Sequence, residues 1–320
     1  MNGQTDCRSK LKEGGIAGLK KGWGGFVWMM KIIIPISLFT AMLDWSGLLH
    51  RLDFLLKPLM GIFSLPPTAA LPLVIGMLSS VYGGLAAMAV LPFSAAQMTL
   101  MAVFILMAHS LIQEGIIQGS SGIHPLKATA VRLAAAVVTV LLMVPWVGSS
   151  PAMPAAAEGA LSAGPAFWEM IRHWAGTTLA LTAKIFVIIM VLLTLLELLK
   201  SFGWIHPFVR TLGPFLRIMG LDMKVGFLWM TAVIFGLSYG GAIIVEEAKS
   251  GHLSRDEMEI LHLSIGMNHS MVEDPPLFLP LGIHPFWLYV PRLAMAIVTV
   301  WLLRLYQRYA RRPLPAARET

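Results

Sequence analysis

Apolar residues run along this chain in long continuous stretches broken by short polar intervals, and they do not alternate with polar ones. A bilayer-spanning helix needs about 20 such residues, whereas a membrane β-barrel needs alternating segments of about ten. Stretches near 24–49, 125–147, 180–203 and 285–306 read as membrane spans. Short amphipathic stretches near 50–65 and 205–222 place Arg51 and Lys57, or Arg210 and Arg217, on a polar face. Apolar stretches near 68–92 and 225–247 are interrupted at Tyr82-Gly83-Gly84 and Tyr239-Gly240-Gly241. Stretches near 97–117 and 256–273 end in polar residues.

The pattern occurs twice. Residues 122–142 match 282–302 at 12 of 21 positions without a gap, starting from Gly-Ile-His-Pro in each copy. His109-Ser110 recurs as His269-Ser270, Gly47 and His50 as Gly203 and His206, and Pro58 as Pro214. Apolar bias alone does not repeat Gly, His, Pro and Arg in one order, so the chain carries an internal duplication.

Charge placement turns the duplication into a topology. Six basic residues from Arg8 to Lys31 precede or open the first span, and five arginines from Arg304 to Arg318 close or follow the last. Basic flanks mark the cytoplasmic side, whereas the linker segment 148–171 holds no Lys or Arg. Cytoplasmic termini with an external linker require an odd number of crossings per unit. If the Tyr-Gly-Gly stretches are re-entrant hairpins, each unit crosses three times. The expected fold is thus an all-α integral membrane protein of two inverted repeats, each with about three crossings, an amphipathic helix and a re-entrant hairpin. Inverted repeats with broken helices meeting at mid-membrane are a secondary-transporter architecture. The expected boundaries are a basic cytoplasmic segment 1–23, repeats 24–147 and 180–306, a linker 148–179 and a basic cytoplasmic tail 307–320.

Composition agrees: 57% hydrophobic and 13% charged residues, with a mean hydropathy of +0.73, exclude an ordinary soluble enzyme. The net charge of +7 fits neighbouring anionic lipid better than nucleic acid. Cys7, the single cysteine, rules out an internal disulfide. The late start of the first apolar run argues against a cleaved signal peptide.

Two constellations carry candidate chemistry. Paired glycines beside Ser80 and Ser238 free the backbone to turn and let a ligand approach. His109, Ser110 and Glu114 match Asn268, His269, Ser270, Glu273 and Asp274 in the second unit. Charged groups at membrane depth face a cavity or a partner. His269 and Glu273 share a helical face, while His109 and Glu114 share one only if the helix unwinds. Imidazole plus carboxylate suits a divalent cation such as iron(II) or zinc, and equally a proton relay. Arg132 and Arg292 call for carboxylate partners, with Glu114, Glu273 and Asp274 as candidates. His124 and His284 precede prolines and read as helix-entry residues. The chain contains no HExxH, Walker A or GxSxG sequence, so no catalytic residue is expected.

The paired units, with their amphipathic lead-ins, Gly-broken stretches and polar-ended helices, resemble the nucleoside-recognition or Gate domain family from about residue 25 to 305. That family includes the gate segments of concentrative nucleoside transporters and ferrous-iron permeases, and the spore maturation proteins. The resemblance implies that hairpin tips and unwound helix segments hold the solute, here at 79–84, 109–114, 238–241 and 268–274. It thereby selects Ser80, Tyr82, Gly83, Gly84, Ser110, Ser238, Tyr239, Gly240, Gly241, Asn268 and Ser270. These 320 residues include neither the GTPase domain of the iron permeases nor the extra leading spans of full nucleoside transporters.

The expectation is a multi-pass carrier of the bacterial inner membrane, with lipid and a small solute as partners and a homo-oligomer left open. No cofactor is expected beyond a coupling proton, sodium or divalent cation. A divalent-metal permease and a non-transporting membrane factor are the alternatives.

Overall fold

The computed structural model describes residues 2–148, 166–204, 207 and 211–310, which are helical and contain no strand. Five helical stretches are long and apolar enough to cross a membrane: Arg8–Trp45, Ala95–Ser120, Pro125–Val147, Phe167–Ser201 and Pro285–Tyr309. Large apolar side chains such as Phe54, Trp146 and Trp168 are exposed on the outside. In water such a surface would aggregate, and in a bilayer it faces lipid. The chain is an all-α membrane protein.

Helix α1 (Asn2–Trp45) and helix α8 (Phe167–Ser201) open the two repeats. They lie side by side along their length. Gly14 faces Ser201, Gly18 faces Thr194, Gly22 faces Met190, and Phe26 meets Phe186 edge-on at 5.0 Å. Trp174 donates to Ser37 Oγ at 3.1 Å, and Trp45 meets Phe167 at 5.5 Å. Residue numbers rise on one helix as they fall on the other, so the pair is antiparallel. A Cβ on Gly18 would lie 2.4 Å from Thr194 Cα, so the glycine seam sets the closeness of the two backbones. Residues 2–23, expected as a basic segment before the first repeat, are helical and continuous with the first span, and the helix from Phe167 begins inside the segment expected to be linker.

After a 3₁₀ turn and α2 (Asp53–Gly61), the first repeat places α3 (Ala70–Leu78) and α4 (Val81–Val90) as a folded-back pair. The chain turns at Ser79 and Ser80, where Ser80 Oγ caps α4 by accepting from the Gly83 amide at 3.3 Å. The turn was expected at the glycines themselves; they lie in the first turn of α4 and serve packing. A Cβ on Gly84 would sit 3.2 Å from Gly76 Cα and 2.8 Å from Ile105 Cδ1. In the second repeat, α9 (Gly213–Ile218) precedes α10 (Met223–Ser250), which breaks at Gly236 (φ 71°, ψ 172°). Both breaks fall three residues before the Tyr of Tyr-Gly-Gly. The side chains of Ser238 and Tyr239 and the surroundings of Gly240 lie outside the described residues, as does His206.

Helices α5 (Ala95–Ala108) and α11 (Arg255–Asn268) form the centre. Each has 14 residues and starts with a capping box, Ser94 with Gln97 and Ser254 with Glu257. Every residue from Thr99 to Ala108 and from Met258 to Asn268 is buried. Each helix ends at a His-Ser pair, and Ser110 (φ 49°) and Ser270 (φ 51°) adopt the left-handed conformation. Beyond the break the first repeat resumes as α6 (Leu111–Ser120), while Pro275 and Pro276 hold the second in a 3₁₀ helix to Leu281. Helices α7 (Pro125–Val147) and α12 (Pro285–Ala310) close the two repeats.

Candidate functional site

Breaking α5 and α11 frees carbonyls at their C-terminal ends, and buried carbonyls need donors. One arginine from each closing helix supplies them. Arg132 Nε donates to Met107 O at 3.2 Å and Arg132 Nη2 to His109 O at 3.1 Å. Arg292 makes the same bonds to Met267 O and His269 O, each at 3.1 Å. Both arginines are almost fully buried, at 1% and 0% exposure, so neither reaches toward lipid headgroups. Gly266 makes room for the first: a Cβ there would lie 3.0 Å from Arg132 Cδ.

Held this way, the helix ends bring two histidines together. His109 Nδ1 bonds Ile105 O at 3.0 Å, and His269 Nδ1 bonds Ile265 O at 2.9 Å. A carbonyl only accepts, so each Nδ1 is the donor and each Nε2 of the neutral ring carries a lone pair. The two Nε2 atoms face one another at 3.0 Å across the repeat boundary, with ring centroids 4.8 Å apart. Two lone pairs at that distance repel unless a cation lies between them.

Two carboxylates approach the same nitrogens. Glu114 Oε1 is 3.2 Å from His269 Nε2 and 3.5 Å from His109 Nε2, and Asp274 Oδ2 is 3.8 Å from His109 Nε2. Glu114 also meets Arg132 Nη1 at 2.8 Å through its other oxygen. The left-handed serine turns the chain so that His109 and Glu114 meet, which an unbroken helix prevents. The same turn moves Glu273 off the axis. The residue that matches Glu114 by position is Asp274, 160 residues later, and Glu273 is only half-buried. Its Oε2 would lie 3.8 Å from a Cβ on Gly236. His109, His269 and Asp274 each offer an atom within 4.8 Å of the other two, so this trio could hold a metal ion.

The remaining sequence candidates divide. Ser110 Oγ donates to Ser79 O at 3.1 Å, and its amide to Gly76 O at 3.1 Å, tying the hairpin turn to the centre. Ser270 sits against the Gly236 break, 2.7 Å from where a Cβ would stand, and its amide bonds Ala232 O at 3.1 Å. Ser80 is spent on its helix cap; Tyr82 packs edge-on against Trp28 at 5.3 Å; Gly83 faces Ile75 and Ile36; Gly241 is buried in α10. Asn268 is fully buried, and neither side-chain amide atom has a hydrogen-bond partner among the described residues. Gln118, one turn beyond Glu114, is in the same condition. It was not among the sequence candidates, and only its spacing of four from Glu114 could have flagged it. His124 precedes Pro125 at the start of α7, and His284 Nδ1 accepts the Phe286 amide, both as helix-entry residues.

These features define a polytopic α-helical membrane protein with a buried, charged centre at the meeting of two repeats. The chain is 29% identical over 290 residues to an uncharacterized membrane protein, YvoD, of Bacillus subtilis (strain 168), covering 90% of this chain and 92% of that one. No family model matches the chain, and no solved structure matches it.

Proposed function

We propose that this protein is an ion-coupled secondary carrier of the cell membrane, in which two Gate-like repeats close on one shared cation at His109 and His269. The observation that carries this reading is the contact of the two Nε2 atoms at 3.0 Å, each supplied by the broken end of a matching helix. Transporters with inverted repeats place ion sites where half-helices end near the bilayer midplane. The antiparallel packing of the equivalent helices α1 and α8 supports that inversion, and the basic termini support a cytoplasmic location for both ends. The solute is small and polar, and the resemblance to nucleoside-recognition domains makes a nucleoside the first to test. Two Nε2 atoms 3.0 Å apart can share a proton or bind one metal ion beside them, and they leave no room for a nucleoside. The solute would therefore sit beside the centre, where Asn268 and Gln118 hold unpartnered amides.

Proteoliposomes test the reading. Labelled uridine uptake, or collapse of an imposed proton gradient read by trapped pyranine, should occur with the wild type and vanish in His269→Ala. Manganese(II) entry, read by quenching of trapped calcein and lost in the same variant, would make the cation cargo as in a metal permease. If none of the three is seen, the carrier reading fails and a non-transporting membrane factor replaces it.

A further inference from the structure

The cation left unnamed by the carrier reading can be assigned from the donors themselves. The geometry points to a six-coordinate site for a divalent first-row transition metal, formed by His109 Nε2, His269 Nε2 and one oxygen of Asp274. This assignment rests on reading the centre as a cation site.

The first argument is the spacing of the nitrogens. With metal–nitrogen bonds of about 2.1 Å, two nitrogens 3.0 Å apart subtend an angle near 90° at the metal. A tetrahedral ion such as structural zinc would need them about 3.4 Å apart. Neighbouring positions of an octahedron fit the observed pair. The tautomers fit as well: each Nδ1 is committed to a backbone carbonyl, which fixes the ring and leaves Nε2 free to bind, as in metal-bound histidines.

The second argument separates the two carboxylates. Glu114 is held by Arg132, with one oxygen at 2.8 Å from Nη1 and the other at 3.2 Å from Nη2. Asp274 is 4% exposed, and among the described residues no lysine or arginine comes within 4.0 Å of it. Its side chain is one methylene shorter than that of Glu114, and among the described residues Arg292 makes no ion pair within 4.0 Å where Arg132 makes one. A buried carboxylate without a cationic side chain is either neutralised or bound to a metal. Two imidazoles and one carboxylate, with the other positions open, form the donor set of non-haem iron(II) sites, and manganese(II) suits a similar set. Asp274 Oδ2 has to close on the ion by about 1 Å, which a side-chain rotation supplies.

The third argument is the set of orphaned polar atoms. Asn268 adjoins His269 and Gln118 shares a face with Glu114, and both amides are buried without partners. Such atoms cost about 1–3 kcal/mol each when left bare. Water or a polar solute held beside the centre would supply them with partners.

The full-length protein, purified in detergent and stripped with a chelator, is titrated with manganese(II). The free-ion EPR signal should be suppressed up to one equivalent. Electron spin-echo modulation on the loaded wild type should then show two imidazole nitrogens. Cobalt(II) should give the weak visible bands of a six-coordinate ion. Asp274→Asn and His269→Ala should each lower affinity by more than the roughly 10–100-fold loss expected of an outer partner. Glu273→Gln should bind as the wild type does. Because the nitrogen modulation is read on unmutated protein, a misfolded variant cannot decide the matter. Absence of that modulation, or intense tetrahedral cobalt bands, would overturn the assignment. If the wild type binds no metal while His269-dependent flux persists, the metal site falls and the carrier stands. If metal binds to both imidazoles while nothing crosses the membrane, the site stands and the carrier falls.

Discussion

The two repeats agree to within a few tenths of an ångström at each bond their arginines and histidines make to the backbone, and they part at one methylene. Glu114 reaches Arg132, whereas among the described residues Asp274 makes no ion pair with Arg292 within 4.0 Å. Both arginines stitch the end of a broken helix, so stitching is common to the two halves and charge pairing is not. A duplicated scaffold thus supplies a symmetric cradle, and a single side-chain length decides which carboxylate is committed to structure and which remains for a ligand. The seam between α1 and α8 is divided in the same manner. One helix contributes Gly14, Gly18 and Gly22, and its equivalent answers with Met190, Thr194 and Ser201.

The largest expected effect tests the arginines against each other. Arg132 makes a contact ion pair with a buried carboxylate, and Arg292 makes none within 4.0 Å among the described residues. Breaking such a pair costs about 3–5 kcal/mol, so Arg132→Ala should destabilise more than Arg292→Ala. Thermal unfolding followed by tryptophan fluorescence measures this, and equal losses would dissolve the contrast. Next comes Asp274→Glu, which lengthens the free carboxylate into reach of Arg292. Manganese affinity should fall roughly 10–100-fold, with a melting temperature no lower than that of the wild type. Retained affinity would show that side-chain length does not govern the division of labour. A smaller effect is expected at the seam. Gly18→Ala drives a methyl into the Thr194 backbone and should cost about 1–3 kcal/mol by the same melt. Gly15→Ala, on the same helix with nothing within 4 Å, should stay within about 1 kcal/mol and on the stabilising side.

The duplication and the carboxylate partner of Arg132 were legible because they rest on repeated residue types that apolar bias does not produce. The expected partner of Arg292 is not met within 4.0 Å among the described residues, and unwinding at the His-Ser pairs was implied only by the family resemblance. The identity of the second carboxylate was legible too, from the offset of 160 that links His109 to His269. Spacing on an ideal helix pointed instead to Glu273, and a left-handed serine, which no composition rule announces, made that spacing irrelevant. The Tyr-Gly-Gly steps misled for a related reason. Glycine permits a turn and also permits close packing, and Ser79 and Ser80 already supplied the turn. The seam glycines at 14, 18 and 22 show the spacing of four that marks helix contacts. They escaped notice because the lysines around them drew the segment out of the expected span.

That seam has a consequence for biosynthesis. Ser201 follows Gly14 by 187 residues, so at about 5–20 residues per second the ribosome delivers the second face some 10–40 seconds after the first. Throughout that interval the glycine face of the leading helix lacks its natural neighbour, and the first repeat is inserted well before it is packed. Completion of the first half therefore waits on translation of the second, and quality control acting in those seconds meets an exposed groove that the finished molecule no longer presents.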